Sequence, residues 1–303
     1  MTDSLDELRP AAFSVAYRML GSVSEAEDVV QETLLRVHAT LEGGELIESP
    51  RAYTATVATR LAIDALRSAR ARRETYVGEW LPEPIVTSPD GDPALHAELA
   101  DSLSLAFLVL LESLSPEQRA VFLLREAFDY GYGEIAEIVG KSEDNARQLA
   151  ARARRHVEER RPRFDASREQ RDALADRFFA AAQEGELDAL EALLAEDVEL
   201  YGDGGGKVPA LARVLSGRDR VKRTLANWGR QRRRLPRVTM QRVNVNGQPG
   251  ALVLDDEGRV FSVFALDICD GRVQSIRSIV NPDKLRHLGD VGDMRAILEA
   301  RDR

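Results

Sequence analysis

The chain has 303 residues, an apolar fraction of 44% and a net charge of −9, which predict two or three globular domains and argue against a nonspecific nucleic-acid coat. No apolar run approaches the roughly 20 residues of a membrane span, and the acidic N-terminus is unlike a signal peptide. Cys269 is the single cysteine, which excludes an intramolecular disulfide and a cysteine-based zinc site. We therefore expect a cytoplasmic protein without a metal or another cofactor.

The N-terminal part is predicted to form three amphipathic helices. The first covers residues 8–20, and the second begins at Ser24 with Glu27 at the capping-box position. Acidic side chains cluster near the start of the second helix, where the helix dipole favours them. Ser49-Pro50 opens the third helix, which ends in an arginine-rich run at Arg73. One acidic and one basic helix in the same unit suggest one surface for a protein and one for DNA.

A linker follows that contains two prolines and two large apolar residues. The run from Glu79 to Pro84 favours an extended path because its prolines fix φ. Trp80 and Leu81 are costly to leave in water, which indicates that something packs on them. The alternatives at this point are a docking partner for the linker and simple packing of Trp80 on its own domain.

Residues 114–157 have the pattern of a helix-turn-helix. Ser115 is a good N-cap and Gln118 completes a capping box, while Gly140 to Ser142 form the turn before a basic third helix. Helical spacing predicts that the inward positions are Val121, Leu124, Ala127, Ile135, Ile138, Ala146, Leu149, Ala150 and Ala153.

The third helix of this motif leaves polar side chains on its outer face. Asn145, Arg147, Gln148, Arg152 and Arg155 carry amide and guanidinium groups that can read base edges in a major groove. The alternative is an ordinary helical hairpin with a solvated basic face, because helix-turn-helix patterns are only moderately specific.

The C-terminal third changes from helical to strand periodicity. A helix over residues 168–183 and a second one through Leu194 precede several apolar, alternating segments. Asn246-Gly247 and Asp270-Gly271 are strong hairpin-turn dipeptides. Helices followed by an antiparallel sheet indicate an α+β domain, whose order resembles a SnoaL-like (NTF2-like) cone with a central pocket.

The run from Tyr201 to Lys207 superficially resembles a phosphate-binding loop. Tyr201 stands where a Walker A loop needs glycine, and Val208 stands where it needs serine or threonine. We expect instead an irregular loop that presents Asp203 and Lys207. Asp203 is a candidate catalytic base, but the sequence identifies no partner for it, so we expect no catalytic residues.

Two segments of the N-terminal half resemble one protein family. Ser24 to Leu34 closely resembles conserved region 2 of group 4 (extracytoplasmic-function) RNA polymerase sigma factors, and the helix-turn-helix of residues 114–157 resembles their region 4. The resemblance implies binding to core RNA polymerase, at its β′ clamp helices and β flap, and to promoter DNA. Many family members have Asn where this chain has Arg60. The implied polymerase-binding residues are Asp28, Gln31, Glu32 and Leu35; those for the −10 element are Arg60, Asp64, Arg67, Ser68, Arg70, Arg72 and Arg73; those for the −35 element are Ser142, Asn145, Arg147, Gln148, Arg152 and Arg155.

Three further motifs resemble the ECF41 (SigJ-like) subgroup, whose members carry a fused SnoaL-like domain. They are Trp80-Leu81-Pro82-Glu83-Pro84, Asp203-Gly204-Gly205-Gly-Lys207 and Asn281-Pro282-Asp283-Lys284. The resemblance implies that the C-terminal domain contacts the linker and modulates promoter recognition, with Asp203 and Lys207 near Trp80 and residues 82–84. It also implies an inhibitory C-terminal tail.

The predicted protein is a non-enzymatic promoter-specificity subunit with two all-α sigma domains and a C-terminal α+β cone. The alternative is a bifunctional protein whose SnoaL-like domain binds or turns over an unidentified small ligand. The predicted boundaries are 1–73 for region 2, 74–104 for the linker, 105–163 for region 4, 167–289 for the SnoaL-like domain and 290–303 for the tail.

Overall fold

The computed structural model describes residues 5–44, 46–73, 75–88, 103–159, 167–232 and 238–293. The chain divides into two compact units. One comprises Met1–Thr75 and Phe107–Arg161, and the other comprises Tyr76–Ala106 and Pro162–Arg303. Most of the predicted linker therefore belongs to the same unit as the C-terminal domain. The tail prediction falls mainly on residues 294–303, which lie outside the described residues. No described helix is long and apolar enough to cross a membrane.

Three helices open the first unit: α1 (Leu5–Leu20), α2 (Val23–Glu42) and α3 (Pro50–Arg73). The prediction that Ser24 caps α2 is wrong. Ser22 is the N-cap, and its Oγ accepts a hydrogen bond from the backbone N of Glu25 at 3.2 Å. Gly21 has a φ of +64°, so the chain reverses at once after α1 and the next helix begins two residues earlier than predicted.

The first three helices share an apolar core. Each contacts the other two, and the buried positions recur at helical spacing, as expected for amphipathic helices. Fully buried apolar members of this core are Ala12, Ala16, Tyr17, Leu20, Ala26, Val30, Val37, Ala58 and Ala62.

Four helices follow: α4 (Leu105–Leu111), α5 (Pro116–Glu126), α6 (Tyr132–Val139) and α7 (Glu143–Glu158). The predicted local signals of the helix-turn-helix are confirmed. Ser115 and Gln118 form both halves of the capping box. Gly140 ends α6 in the left-handed conformation, and the Ser142 side chain caps α7 through the backbone N of Asn145.

The core of the helix-turn-helix is as predicted except at one position. Val121, Leu124, Ile135, Ala146 and Ala150 are buried together with Ile138, and Leu149 packs against them half-buried. Ala127 is exposed, contrary to the expectation, because α5 ends at Glu126 and Ala127 is its C-cap. Helical spacing alone therefore predicts burial at a position that lies beyond the actual end of the helix.

The second unit contains α8 (Arg168–Glu184), α9 (Leu187–Leu193) and α10 (Arg218–Arg232), with short 3₁₀ turns at Pro282–Lys284 and Arg286–Leu288. The strands are β1 (Val86–Thr87), β2 (Leu194–Asp203), β3 (Leu215–Ser216), β4 (Thr239–Val245), β5 (Gln248–Leu254), β6 (Val260–Cys269) and β7 (Arg272–Ile279). Helix α10 and strands β1 and β3 were not predicted.

The seven strands form one sheet in the order β1-β4-β5-β6-β7-β2-β3. Both predicted hairpin turns are confirmed, since Asn246, Gly247, Asp270 and Gly271 all have positive φ. The expectation of a purely antiparallel sheet is wrong. Strand β2 runs parallel to β7, with Leu200 beside Ile276. Between these two strands the chain passes through β3, α10, β4, β5 and β6.

Candidate functional site

The outer face of α7 is exposed along its length. Asn145, Arg147 and Gln148 are exposed, as are Arg152 and Arg155, whereas alanines on the opposite face are buried. Arg147 pairs with Glu143, which raises the pKa of Arg147, and its guanidinium lies 5.3 Å from the centre of the Tyr132 ring. The helix thus presents planar hydrogen-bond donors near its N-terminus, as a major-groove reader requires.

A second exposed surface lies on α2. Asp28, Gln31 and Glu32 are exposed, and Leu35 on the same face is 65% exposed. Spacings of three, four and seven residues place these side chains along one stripe of the helix. Glu32 forms an ion pair with Arg36 at 2.7 Å. The stripe therefore combines an exposed leucine with two acidic side chains.

Helix α3 contacts the helix-turn-helix within the same unit. Arg60 donates from Nε to the carbonyl O of Ile138 at 3.1 Å and from Nη2 to that of Glu137 at 3.0 Å. Arg67 pairs with Glu117 at 2.6 Å and with Asp64 at 3.1 Å. The hydrogen bond from Arg67 lowers the pKa of Glu117. Two residues of the predicted −10 set are thus bound to α5 and α6.

The end of α3 joins a buried ionic cluster. Arg73 pairs with Glu112 and donates to the carbonyl O of Leu20 at 2.7 Å. Glu112 also pairs with Arg119, which is 1% exposed and donates to the carbonyl O of Arg18. Burial alone would raise the pKa of Glu112, but Arg119 and Arg73 together lower it.

Of the four remaining residues in the predicted −10 set, the structure describes the side chains of two. Asp64 and Ser68 have exposed side chains on α3. The side chains of Arg70 and Arg72 lie outside what the structure describes.

The linker is held in the second unit by the carboxylate of Asp203, the last residue of β2, which is fully buried. One oxygen, Oδ2, accepts from the backbone N of Leu81 at 2.8 Å and from Nζ of Lys284 at 2.6 Å. The other, Oδ1, accepts from the Tyr76 hydroxyl and from the backbone N of Gly205. The prediction that a loop presents Asp203 is wrong, because this side chain is enclosed by the linker.

Lys284 completes this cluster from the opposite side. Its ammonium, 7% exposed, also donates to the carbonyl O of Leu81 and lies 4.3 Å from the Trp80 ring centre and 4.9 Å from that of Tyr76. The cation is therefore paired, hydrogen-bonded and covered by two aromatic rings. Burial, followed by the hydrogen bond to Asp203, raises the pKa of Tyr76, so its hydroxyl stays a donor.

The glycines beside Asp203 allow the close approach of neighbouring groups. A Cβ at Gly205 would lie 2.3 Å from Nδ2 of Asn281, and one at Gly204 would lie 2.5 Å from the carbonyl O of Val208. Asn281 in turn donates to the Tyr76 hydroxyl at 2.8 Å. Pro282 begins the 3₁₀ turn that carries Lys284 to the cluster.

Lys207 lies in a more exposed part of this site than Asp203. Its ammonium is half-exposed and pairs with the carboxylate of Asp283. The contact between the 203–207 motif and the linker is made by Asp203, and Gly206 approaches Val77.

The rest of the linker motif is buried beyond Leu81. Pro82, Glu83 and Pro84 are buried. His287 hydrogen-bonds through Nε2 to the carbonyl O of Pro84 at 2.8 Å.

Three residues of the linker site were missed by sequence reasoning: Tyr76, Asn246 and His287. Asn246 exchanges hydrogen bonds with both backbone groups of Ile85 and donates to the carbonyl O of Leu103 at 2.8 Å. It is fully buried, although hairpin-turn asparagines ordinarily face water. Strand β1 continues this attachment, with Val86 beside Val245. The only sequence signal at Asn246 was that of a hairpin turn.

Three parts of the chain match known families. Residues 5–72 match Sigma-70 region 2, residues 104–157 match Sigma-70, region 4, and residues 175–278 match the SnoaL-like domain. These spans coincide with α1–α3, the helix-turn-helix and most of the C-terminal sheet.

Two curated proteins of Mycobacterium tuberculosis resemble the chain along most of its length. The ECF RNA polymerase sigma factor SigJ is 39% identical over 92% of this chain and 91% of its own, and the probable ECF RNA polymerase sigma factor SigI is 33% identical over 89% and 90%. The crystal structure of SigJ superposes with a TM-score of 0.73 at 36% identity, covering 93% of this chain and 96% of SigJ. The chain therefore belongs to the extracytoplasmic-function RNA polymerase sigma factors that carry a fused SnoaL-like domain.

Proposed function

We propose that this protein directs core RNA polymerase to promoters, docking through the α2 stripe of Asp28, Gln31, Glu32 and Leu35. Helix α7 reads the −35 element as duplex, and α3 binds the −10 element after melting. The observation that carries this proposal is the exposed polar face of α7, which offers amide and guanidinium donors in the geometry of a recognition helix. Core RNA polymerase supplies all of the chemistry. Because the polymerase works in the cytoplasm, this protein would act there as well.

The SnoaL-like domain regulates this activity by holding the linker. The support is the buried cluster in which Asp203 and Lys284 bind both backbone groups of Leu81. Since the linker joins the −10 reader to the −35 reader, its attachment restricts the separations that the two readers can span. Trp80, Glu83, Gly204, Asn281 and Asp283 belong to the same regulatory site.

The first unit itself is in a closed arrangement. Arg60 donates to two carbonyls of α6 and Arg67 donates to Glu117 of α5, so these donors are engaged within the unit rather than with DNA. We infer that the helix-turn-helix separates from α3 when the −10 strand binds. The side chains of Arg60 and Arg67 are exposed apart from these contacts, as a reversible interaction requires.

The competing proposal, a fused enzyme, is not favoured by the site. Asp203, the candidate base, already accepts hydrogen bonds from Leu81, Tyr76, Gly205 and Lys284. A carboxylate with these partners has no open position for a substrate proton. We infer that the C-terminal domain does no chemistry.

The test is run-off transcription with core polymerase on promoters whose −35 to −10 spacing varies by one base pair at a time. We expect transcription from a narrow range of spacings with the wild-type protein. Asp203→Asn weakens the bond to Lys284 and to Leu81, so the range should widen. Asp219→Asn is the matched control, since it makes the same chemical change in an exposed Asp–Lys pair with Lys222, outside the linker site.

The two parts of the proposal fail separately. If the wild-type protein supports no promoter-specific transcription, the sigma-factor function is wrong. If it does, but Asp203→Asn keeps the wild-type spacing preference, the linker regulation is wrong.

A further inference from the structure

Helix α10 of the second unit carries a stripe of exposed polar side chains, most of them arginines. Arg220, Arg223, Asn227 and Arg230 are exposed, and their spacings of three, four and three residues place them on one face of the helix. Since a helix rises about 1.5 Å per residue, this α10 stripe is about 15 Å long. It belongs neither to the linker site nor to the proposed DNA readers α3 and α7.

The opposite face of α10 is fixed in the core of the second unit. Val221, Leu225 and Ala226 are buried together with side chains of α8, α9 and the sheet. The helix also packs closely on α8, because a Cβ at Gly229 would lie 2.1 Å from the carbonyl O of Ala182. The arginine side chains therefore extend from a rigid backbone, and binding through them requires no reordering of the helix.

The charge of this segment is opposite to that of the whole chain. Residues 218–237 include nine basic residues and one acid, whereas the chain carries a net charge of −9. The acid, Asp219, pairs with Lys222 at 2.9 Å, and Lys222 also pairs with Glu191 on α9. These two carboxylates are thus bound to Lys222, beside the stripe.

The arginines of the stripe are left to an external anion. Within the part of the chain that the structure describes, no hydrogen bond or ion pair engages the side chains of Arg220, Arg223 and Arg230. Like charges three or four residues apart on a helix repel one another, and an anion bound between them would remove this repulsion. A guanidinium group suits phosphate in particular, because it donates two parallel hydrogen bonds to the phosphate oxygens.

The surroundings of the stripe indicate which phosphate-bearing partner fits. A membrane-bound helix exposes its apolar face, whereas the apolar face of α10 is buried in the core. Sites for single-stranded nucleic acid use aromatic side chains on which bases stack, and Trp228, the aromatic residue of α10, packs against the core. A protein partner would favour an apolar centre, which four polar side chains do not offer. The regularly spaced phosphates of duplex DNA fit a rigid row of arginines.

We propose that the α10 stripe binds the phosphate backbone of duplex DNA, so that the SnoaL-like domain adds a sequence-independent DNA contact. The proposal goes beyond the function proposed above, which assigns the DNA contacts to α3 and α7. One strand of a duplex carries a phosphate about every 3.4 Å along the axis, so a stripe of this length can reach one phosphate with each arginine.

The test is the affinity of the full-length protein for a short duplex without promoter elements, measured by fluorescence anisotropy at several salt concentrations. Arg220→Gln, Arg223→Gln and Arg230→Gln combined should lower the slope of log affinity against log salt by about 2–3, since each lost phosphate contact accounts for about 0.9. On the same relation, Arg223→Gln alone should weaken binding about fivefold to tenfold at about 0.1 M salt.

Two controls separate a phosphate contact from a general loss of charge or of structure. Arg177→Gln removes the same charge from another exposed arginine of this unit, on α8, and should bind the duplex as the wild type does. Replacing the three arginines of the stripe by lysine keeps the charges and should keep the wild-type salt slope, because lysine binds phosphate as a point charge.

The proposal is overturned if the wild-type protein does not bind this duplex or if the combined glutamine variant keeps the wild-type salt slope. It is also overturned if Arg177→Gln weakens binding as much as Arg223→Gln does. A combined variant that binds core polymerase more weakly, but duplex DNA normally, would make the stripe a protein-binding surface and would equally contradict the proposal.

A single-stranded oligonucleotide distinguishes the form of the nucleic acid. The combined glutamine variant should lose more affinity for the duplex than for the single strand, and an equal or larger loss for the single strand would contradict duplex binding. Because the duplex contains no promoter elements, these results stand apart from promoter-specific transcription, in which a failure of the sigma-factor function would be seen.

Discussion

Helices α3 and α7 are both rich in arginine, but they differ in what their arginines contact. On α7 the polar face is exposed, and Arg147 pairs with Glu143 one turn earlier and lies over the Tyr132 ring. On α3, Arg60, Arg67 and Arg73 bind groups on the helix-turn-helix and the segment before it. The comparison teaches that basic composition alone does not identify a surface ready for DNA. In this conformation the proposed −35 reader is exposed, whereas three arginines of the proposed −10 reader are bound to other groups within the unit.

The largest effect is expected where the end of α3 meets the buried cluster. Glu112→Gln removes the carboxylate that neutralises Arg73 and Arg119, and Arg119 is 1% exposed. Breaking a buried pair by removing one partner costs about 3–5 kcal/mol. Hydrogen exchange of the α4–α5 amides should show this loss as faster opening. Glu32→Gln, which breaks the exposed pair with Arg36, is the control and should cost about 0.3–0.5 kcal/mol.

The same cluster should depend on pH in a defined direction. The folded-state pKa of Glu112 is lowered below its ordinary value of 4.5. Its contribution to stability is thus present above about pH 4.5 and is lost as the pH falls through the lower folded value. Glu112→Gln should flatten this part of the acid-side stability curve. An identical slope in both proteins would show that the cluster does not carry the charge pairing described here.

An intermediate effect is expected on α7. Replacing Arg147 and Gln148 together by alanine should abolish discrimination among −35 sequences, since each good base-reading pair contributes about 1–3 kcal/mol. Affinity for core polymerase should be unchanged, because the α2 stripe is untouched. Run-off transcription on −35 variants gives the first quantity, and a binding titration gives the second. Arg154→Ala is the matched control: Arg154 lies on α7 but pairs with Glu126. Unaltered promoter choice in the double variant would remove α7 as the reader.

Local signals account for what was predictable from the sequence, and long-range contacts account for the rest. Ser115, Gly140 and Ser142 act within one turn of their own helix, so spacing alone predicted the helix-turn-helix. Asn246 was predicted only as a turn residue, because its bonds to Ile85 and Leu103 join segments more than 140 residues apart.

The linker motif shows the same division. The apolar character of Trp80 and Leu81 indicated that something covers them. The sequence motif identified Lys284 as a site residue, but periodicity did not predict its contact with Trp80. That contact depends on the 3₁₀ turn after β7, which carries Lys284 to the ring. The parallel pairing of β2 with β7 was missed for a similar reason, because strand order across a long connection has no local signature.

The smallest effect is the most direct test of the difference between the two helices. Glu117→Ala should release Arg67 and strengthen binding to a single-stranded −10 oligonucleotide by no more than about fivefold, because a partly exposed ion pair contributes at most about 1 kcal/mol. Fluorescence anisotropy with a labelled oligonucleotide measures this affinity. Arg67→Ala should weaken the same binding, since it removes a phosphate contact along with the ion pair.

The matched control for this test lies on the same helix. Glu126→Ala breaks the comparable exposed pair with Arg154 and leaves α3 untouched, so it should not change −10 binding. Both glutamate variants lose one negative charge, and a general electrostatic effect would therefore strengthen binding equally in the two. A gain confined to Glu117→Ala would mean that α3 is restrained by its contact with α5. Equal gains would mean that the closed contact does not limit access to the −10 strand.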